Sequence, residues 1–258
     1  MSIPKVLVDT CIVSTGHADP ACWFHIDTDS QFFSNKLIVY IIKERKNITL
    51  DTQIDLQAIG RAARNNEIFL YEYPELVWET WLGYQSWRNN LSPLYAFRDV
   101  KWHNIPSPID RSKFFQSSNW VEGKEVELFM DFLLKVEPNK LYILMKKSGQ
   151  FTDWELYCAK NLSAFQEMCD DKVLGRKRAR DIYHLWSAEC NNLDYFLTTD
   201  VKLINSYNTA VGHKKINLRC KLVNPKDFIE ELNISRANIE IPEPGKMFLM
   251  NGLEYIPR

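Results

Sequence analysis

A chain of 258 residues with 45% hydrophobic and 25% charged side chains can bury a core of its own and is neither disordered nor fibrous. Its 32 Lys+Arg against 33 Asp+Glu exclude a globally basic protein, so any nucleic-acid footprint has to be local. The six cysteines form no CxxC pair, which argues against a zinc site and suits buried thiols in a reducing cytoplasm.

In chain order, Lys5 to Val8 reads as a strand and Thr10 to Asp29 as a polar loop with some helix. Ser30 to Arg45 carries Phe33, Leu37, Ile41 and Ile42 at helical spacing and is predicted as a helix, although its β-branched content allows a strand. Asp51 to Asn65 is a helix with Ile54, Ala58, Ile59 and Ala62 on its apolar face. Ile68 to Tyr73 is a strand, and Pro74 opens the helix that follows. Residues 83–172 read as an insertion. Its first part, to about Lys124, is broken by prolines and punctuated by Trp87, Trp102 and Trp120, which core packing explains better than base stacking. Helices are predicted at Val126 to Val136, from the Thr152/Glu155 capping box to about Cys169, and at Arg176 to Asn191; Leu141 to Met145 fits either helix or strand. Strands follow at Tyr195 to Thr199 and Leu218 to Val223. Pro225 opens a short helix, Phe228 to Leu232. The tail, 234–258, should carry a hairpin over 247–256, because Asn251-Gly252 separates two apolar runs.

Strands alternating with helices imply an α/β fold, a three-layer α/β/α arrangement with a mainly parallel central sheet. Residues 1–233 form the expected domain. The N-terminus lacks a basic region followed by a long apolar stretch, and the longest apolar run, Leu37 to Ile42, is too short to span a bilayer, so a cytoplasmic protein without membrane attachment is expected.

The chemistry concentrates where strands end. Asp9 and Asp200 each close an apolar run, and ligands of parallel sheets bind outside the carboxyl ends of the strands. Asp181 falls in the first turns of a helix, where the dipole favours a carboxylate. Glu79 follows the third strand, with Glu75 one turn earlier as its competitor. Carboxylates gathered at one edge repel unless a cation joins them, and oxygen ligands suit Mg²⁺ or Mn²⁺. Thr10, Thr198 and Thr199 flank these acids and could hydrogen-bond a carboxylate or a phosphate. His184 lies one turn after Asp181. Arg176, Lys177, Arg178 and Arg180 put positive charge at a helix start, where it is disfavoured without a nearby anion. Each has a plainer explanation: an Asp at a strand end caps helices, threonines favour strands, a lone helical His is usually structural, and a charge run is usually a solvated face.

Taken together, Lys5-Val6-Leu7-Val8-Asp9-Thr10, Arg180-Asp181-Ile182-Tyr183-His184, Asp194 to Ile204 with its Thr198-Thr199-Asp200 turn, and Leu222-Val223-Asn224-Pro225 resemble the PIN-domain nucleases in order and spacing. The resemblance covers roughly 1–82 and 173–233. It implies a Mg²⁺- or Mn²⁺-dependent endoribonuclease whose acidic set maps to Asp9, Glu79, Asp181 and Asp200, acting on single-stranded or looped RNA. A toxin or defence effector is one setting for such an activity, with an inhibitor protein or self-association as further partners. One position departs from the pattern: Cys11 stands where many members have Asn. Two alternatives remain open, a nuclease for single-stranded or flap DNA, and an inactive PIN-like module that binds RNA or protein. The absence of GxGxxG and Walker patterns argues against a doubly wound nucleotide-binding domain.

Overall fold

The computed structural model describes residues 2–15, 21–25, 36–41, 49–82, 95–114, 124–241, 246–249 and 254–255. The Asn251-Gly252 turn, Trp87 and Trp120 lie outside them. The chain divides into two compact units, one of Met1–Asp9, Leu70–Val77 and Trp102–Asn224, the other of Thr10–Phe69, Trp78–Lys101 and Pro225–Arg258.

Nine strands are described: β1 (Lys5–Val8), β2 (Ala21–His25), β3 (Lys36–Ile41), β4 (Phe69–Glu72), β5 (Trp102–Asn104), β6 (Tyr195–Leu197), β7 (Lys221–Val223), β8 (Met247–Leu249) and β9 (Glu254–Tyr255). The helices up to the middle of the chain are α1 (Thr10–Thr15), α2 (Leu50–Arg64), α3 (Pro74–Leu82), α4 (Lys124–Lys135) and α5 (Pro138–Ser148). Then come α6 (Asp153–Lys160), α7 (Leu162–Met168), α8 (Ala179–Cys190), α9 (Val201–Gly212) and α10 (Pro225–Leu232). Among the described residues, no helix is long and apolar enough to cross a membrane.

The first unit is α/β. Its five-stranded parallel sheet has the order β5-β4-β1-β6-β7 and is flanked by helices. Val6, Leu7 and Val8 of β1 and all of β6 are buried, as expected of central strands covered on both faces. Pairing sets Val6 beside Tyr195, Leu7 beside Phe196 and Val8 beside Leu197. From β1 the chain moves outward to β4 and β5 on one side, and from β6 to β7 on the other. The carboxyl ends of β1 and β6 therefore sit at the topological switch point, the usual crevice of such sheets. Asp194 lies at the opposite end, where its Oδ2 accepts from Lys5 N at 2.9 Å, reaching across to the start of β1.

Helix α8 is the hub of this unit's core. Ala179 and every residue from Ile182 to Ala188 are buried, so the helix is covered nearly all round. Tyr183 packs edge-on against Phe129 and Phe165. Its hydroxyl donates to Ile109 O at 2.6 Å and accepts from Ile109 N at 3.2 Å, so the buried phenol is satisfied, and burial pushes its pKa well up. Cys158, Cys169 and Cys220 are buried thiols, as their apolar settings predicted; burial pushes Cys169 up to about 12.

The second unit holds a separate antiparallel sheet of order β2-β3-β8-β9. Here two expectations are corrected. Lys36–Ile41 is a strand, not part of a helix, because it pairs with β2 on one side and with β8, some two hundred residues away, on the other. The β-branched run realises its strand propensity once those partners arrive. Likewise, within Thr10 to Asp29 the expected helix is α1, but Ala21–His25 is strand β2, not loop. The tail hairpin is present: β8 and β9 pair antiparallel with Met247 beside Tyr255. Helix α10 packs on α2. Arg236 pairs with buried Asp55 at 2.6 Å, and Arg61 Nη1 donates to Ala237 O at 2.7 Å.

Three smaller differences concern the first unit. The Thr152–Glu155 capping box forms, but the predicted single helix is interrupted at Asn161 between α6 and α7. Residues 102–104, inside the expected insertion, supply the edge strand β5, with Leu70 beside Trp102. Strands β6 and β7 are shorter than predicted, ending the ladder one residue before Thr198 and starting it at Lys221.

Candidate active site at the carboxyl edge of the sheet

The register of β1 and β6 places Asp9 level with Thr198, one step beyond the Val8–Leu197 pair. Asp9 N donates to Leu197 O at 3.0 Å, and Thr198 N donates to Val223 O at 3.0 Å, so both backbones are pinned as the strands end. Thr198 is fully buried. Its hydroxyl donates to Asp9 Oδ2 at 2.6 Å and accepts from Asp200 N at 3.1 Å. One buried hydroxyl thus links the Asp9 carboxylate to the Asp200 backbone. Asp9 receives a charge-assisted hydrogen bond from Thr198 across the sheet.

Asp200 is the N-cap of α9. Its Oδ1 accepts from Lys202 N at 2.8 Å and from Leu203 N at 3.0 Å. The plainer explanation for this aspartate, a helix cap, is therefore realised. Asp181 sits in the first turn of α8 and is half-buried. Burial raises its pKa first; the neighbouring charges of Asp9 and Asp200 raise it further, while His184 and Arg180 pull the other way. The three carboxylates are thus close enough to act on one another, as expected of an acidic edge.

The fourth carboxylate had two candidates. Glu75 is buried and committed: Arg111 Nε lies 3.2 Å from its Oε1 and 3.1 Å from its Oε2, and Arg111 Nη1 reaches Glu125 at 3.5 Å. Glu75 is an internal counter-ion. Glu79 belongs to the second unit, where Thr10 Oγ1 donates to its Oε2 at 3.1 Å.

His184 is 2% exposed, with Nδ1 2.5 Å from Tyr73 Oη and its ring against Phe196. It is a core residue, packed and hydrogen-bonded inside the first unit. Thr199 is partly buried beside Thr198. The predicted basic cluster is partly committed to the fold. Arg176 pairs with Asp131 at 2.6 Å, and Arg178 Nη1 donates to Leu174 O at 2.8 Å. Lys177 and Arg180 are exposed.

The donor set suits a hard divalent cation by chemistry: half-buried carboxylates with like charge at one edge. Among the described residues, no three His, Cys, Asp or Glu side chains gather as a preformed metal cage. That holds for Asp9, Asp181 and Asp200 too, so the three carboxylates do not form a preassembled ligand set for any metal. Such an arrangement is compatible with Mg²⁺, which keeps several waters and is held by one or two carboxylates with substrate phosphates. No protein-family model, curated protein or solved structure matches the chain.

Proposed function

We propose that the chain is a Mg²⁺- or Mn²⁺-dependent phosphodiesterase that cuts single-stranded or looped RNA, with its centre at Asp9, Asp181 and Asp200. The observation that carries this reading is the placement of three interacting carboxylates at the switch point of a parallel sheet, with Thr198 bonding the Asp9 carboxylate and the Asp200 backbone. A divalent cation bound there would polarise the phosphate and lower the pKa of a coordinated water. The chain's own residues have separate tasks. Thr198 fixes the rotamer of Asp9. The first turn of α9 fixes Asp200. Asp181, raised by burial and by its neighbours, is the carboxyl whose charge a cation would stabilise most. Glu79 is the fourth acid expected from the sequence.

The test is cleavage of mixed RNA and DNA strands with Mg²⁺, Mn²⁺ or EDTA. Wild type should cut RNA only with metal, and Asp9→Asn and Asp181→Asn should lose turnover while remaining folded. Glu79→Gln tests the fourth acid. Cutting of DNA alone would move the substrate class. Full turnover by both Asp variants at saturating metal, or none by wild type on any strand, would overturn the reading.

A further inference from the structure

The net charge hides a local asymmetry. From Val201 to Asn224 the chain carries Lys202, Lys214, Lys215, Arg219 and Lys221 and not one Asp or Glu. Most of this stretch is α9 and the loop after it, leading directly from Asp200. Lys202, Asn205, Ser206 and Thr209 recur at i, i+3, i+4 and i+7, so they form one stripe along α9. Lys202, Asn205 and Thr209 are exposed. The far end of the stripe opens into a groove of about 240 Å³ lined by Lys172, Val173, Asn205, Ser206, Thr209, Ala210 and Lys215. Lys215 Nζ donates to Lys172 O, which ties the loop after α9 to the turn before Arg176 and forms one wall. The two acids preceding Lys172 each turn Oδ1 inward: Asp170 accepts from Lys172 N at 2.7 Å and Asp171 from Arg176 N at 3.0 Å.

We propose that this groove and stripe bind the phosphodiester backbone of a single strand as it leaves the acidic edge. The ligand is a polyanion because the lining offers two ammonium groups, an amide and hydroxyls, and no carboxylate. The volume holds a phosphate with its hydration, since a liquid water occupies ~30 Å³. The spacing is also right. At ~1.5 Å rise per residue, Asn205 lies about 7.5 Å and Thr209 about 13 Å along the helix from Asp200. The ~3.4 Å rise per strand of a duplex is a lower limit for an extended single strand, so the groove lies at most about four nucleotides from the acids. The carboxylates of Asp9, Asp181 and Asp200 alone would repel such a strand; a cationic track beginning at Lys202 offsets that repulsion. The direction of travel rests on the acidic edge being the cutting centre, but binding to the groove does not.

The experiment separates the two. Full-length Asp9→Asn protein is titrated with fluorescent uridine and thymidine homopolymer strands over a salt series. Lys172→Ala/Lys215→Ala in that background should weaken binding of long strands and reduce the salt slope by up to about 1.4, at about 0.7 per lost phosphate contact. Lys172→Arg/Lys215→Arg should restore both, which a variant with a loosened loop would not do. Groove-dependent binding of RNA or DNA by a wild type that never cuts would uphold this proposal and sink the catalytic one. Unchanged affinity and slope for long strands in the double Ala variant, or equal losses in the Arg variant, would overturn it.

Discussion

Replacing Thr198 by Val tests the central geometric claim, that one buried hydroxyl holds the acidic edge together. Valine keeps the volume and branching, so packing and strand propensity hardly change; only the hydroxyl is lost. That hydroxyl makes a 2.6 Å bond to a carboxylate and accepts a 3.1 Å bond from Asp200 N. A hydrogen bond to a charged group contributes about 1.5–3 kcal/mol and a neutral one about 0.5–1.5. Asp9 is only partly buried and can recruit water, so the lower half of the sum applies, about 2–3 kcal/mol. Thr198→Ser keeps the hydroxyl and loses one buried methyl, which costs about 1 kcal/mol including the small cavity. Urea unfolding at neutral pH, without metal, compares the three proteins. Val should lose more than Ser by about 1–2 kcal/mol, and Ser should keep cleavage while Val loses most of it. If Val is as stable as Ser or more so, the hydroxyl does not brace Asp9 and the site loses its support.

Three more outcomes follow from particular contacts. Arg111→Met should cost about 3–5 kcal/mol in urea unfolding, because it strands the buried Glu75 carboxylate, whereas adding Glu75→Leu should recover most of the loss; a mild single variant would contradict the pairing. Gly60→Ala, normally favourable in a helix by about 1 kcal/mol, should destabilise by about 1–3, since the new Cβ would fall 1.9 Å from Ala96 O; a thermal midpoint equal to or above wild type would refute that close approach. Asp181 holds its proton more tightly folded than unfolded, so without metal stability should fall as pH rises above the unfolded value of 3.8 and level off beyond the raised pKa. Asp181→Asn should remove that fall and raise the melting temperature at neutral pH in EDTA; a lower one would show that the charge is not under strain.

How much of this was legible in advance depends on how local the physics is. β1 and β6 were readable because burial on both faces demands a continuous apolar run, and the Asp that ends each run needs no partner to be noticed. The Thr152–Glu155 capping box and the Pro74 and Pro225 helix starts were equally local. Lys36–Ile41 was misread because its strand partners, β2 and β8, lie at other places in the chain, and pairing rather than spacing decides the conformation of a β-branched run. β5 escaped because Trp-His-Asn at a sheet edge has neither apolar continuity nor clear alternation.

The site divides the same way. The acidic residues and their place at strand ends follow from residue type and order. Which glutamate is spent on an internal ion pair depended on Arg111, thirty-six residues from Glu75 and brought to it only by folding. The choice of Thr198 over Thr199 as the brace for Asp9 depended on the β1–β6 register, where a slip of one residue turns every side chain to the other face. The carboxylate-free stretch after Asp200 was visible in the sequence. Its meaning was not, because only the helix aligns residues three and four apart into a stripe, and only tertiary contact brings Lys172 to its end. Sequence alone determined which acidic and basic side chains stand at the strand ends and helix starts; the tertiary structure decided which of them come together, because distance between residues far apart in the chain is set by packing and not by order.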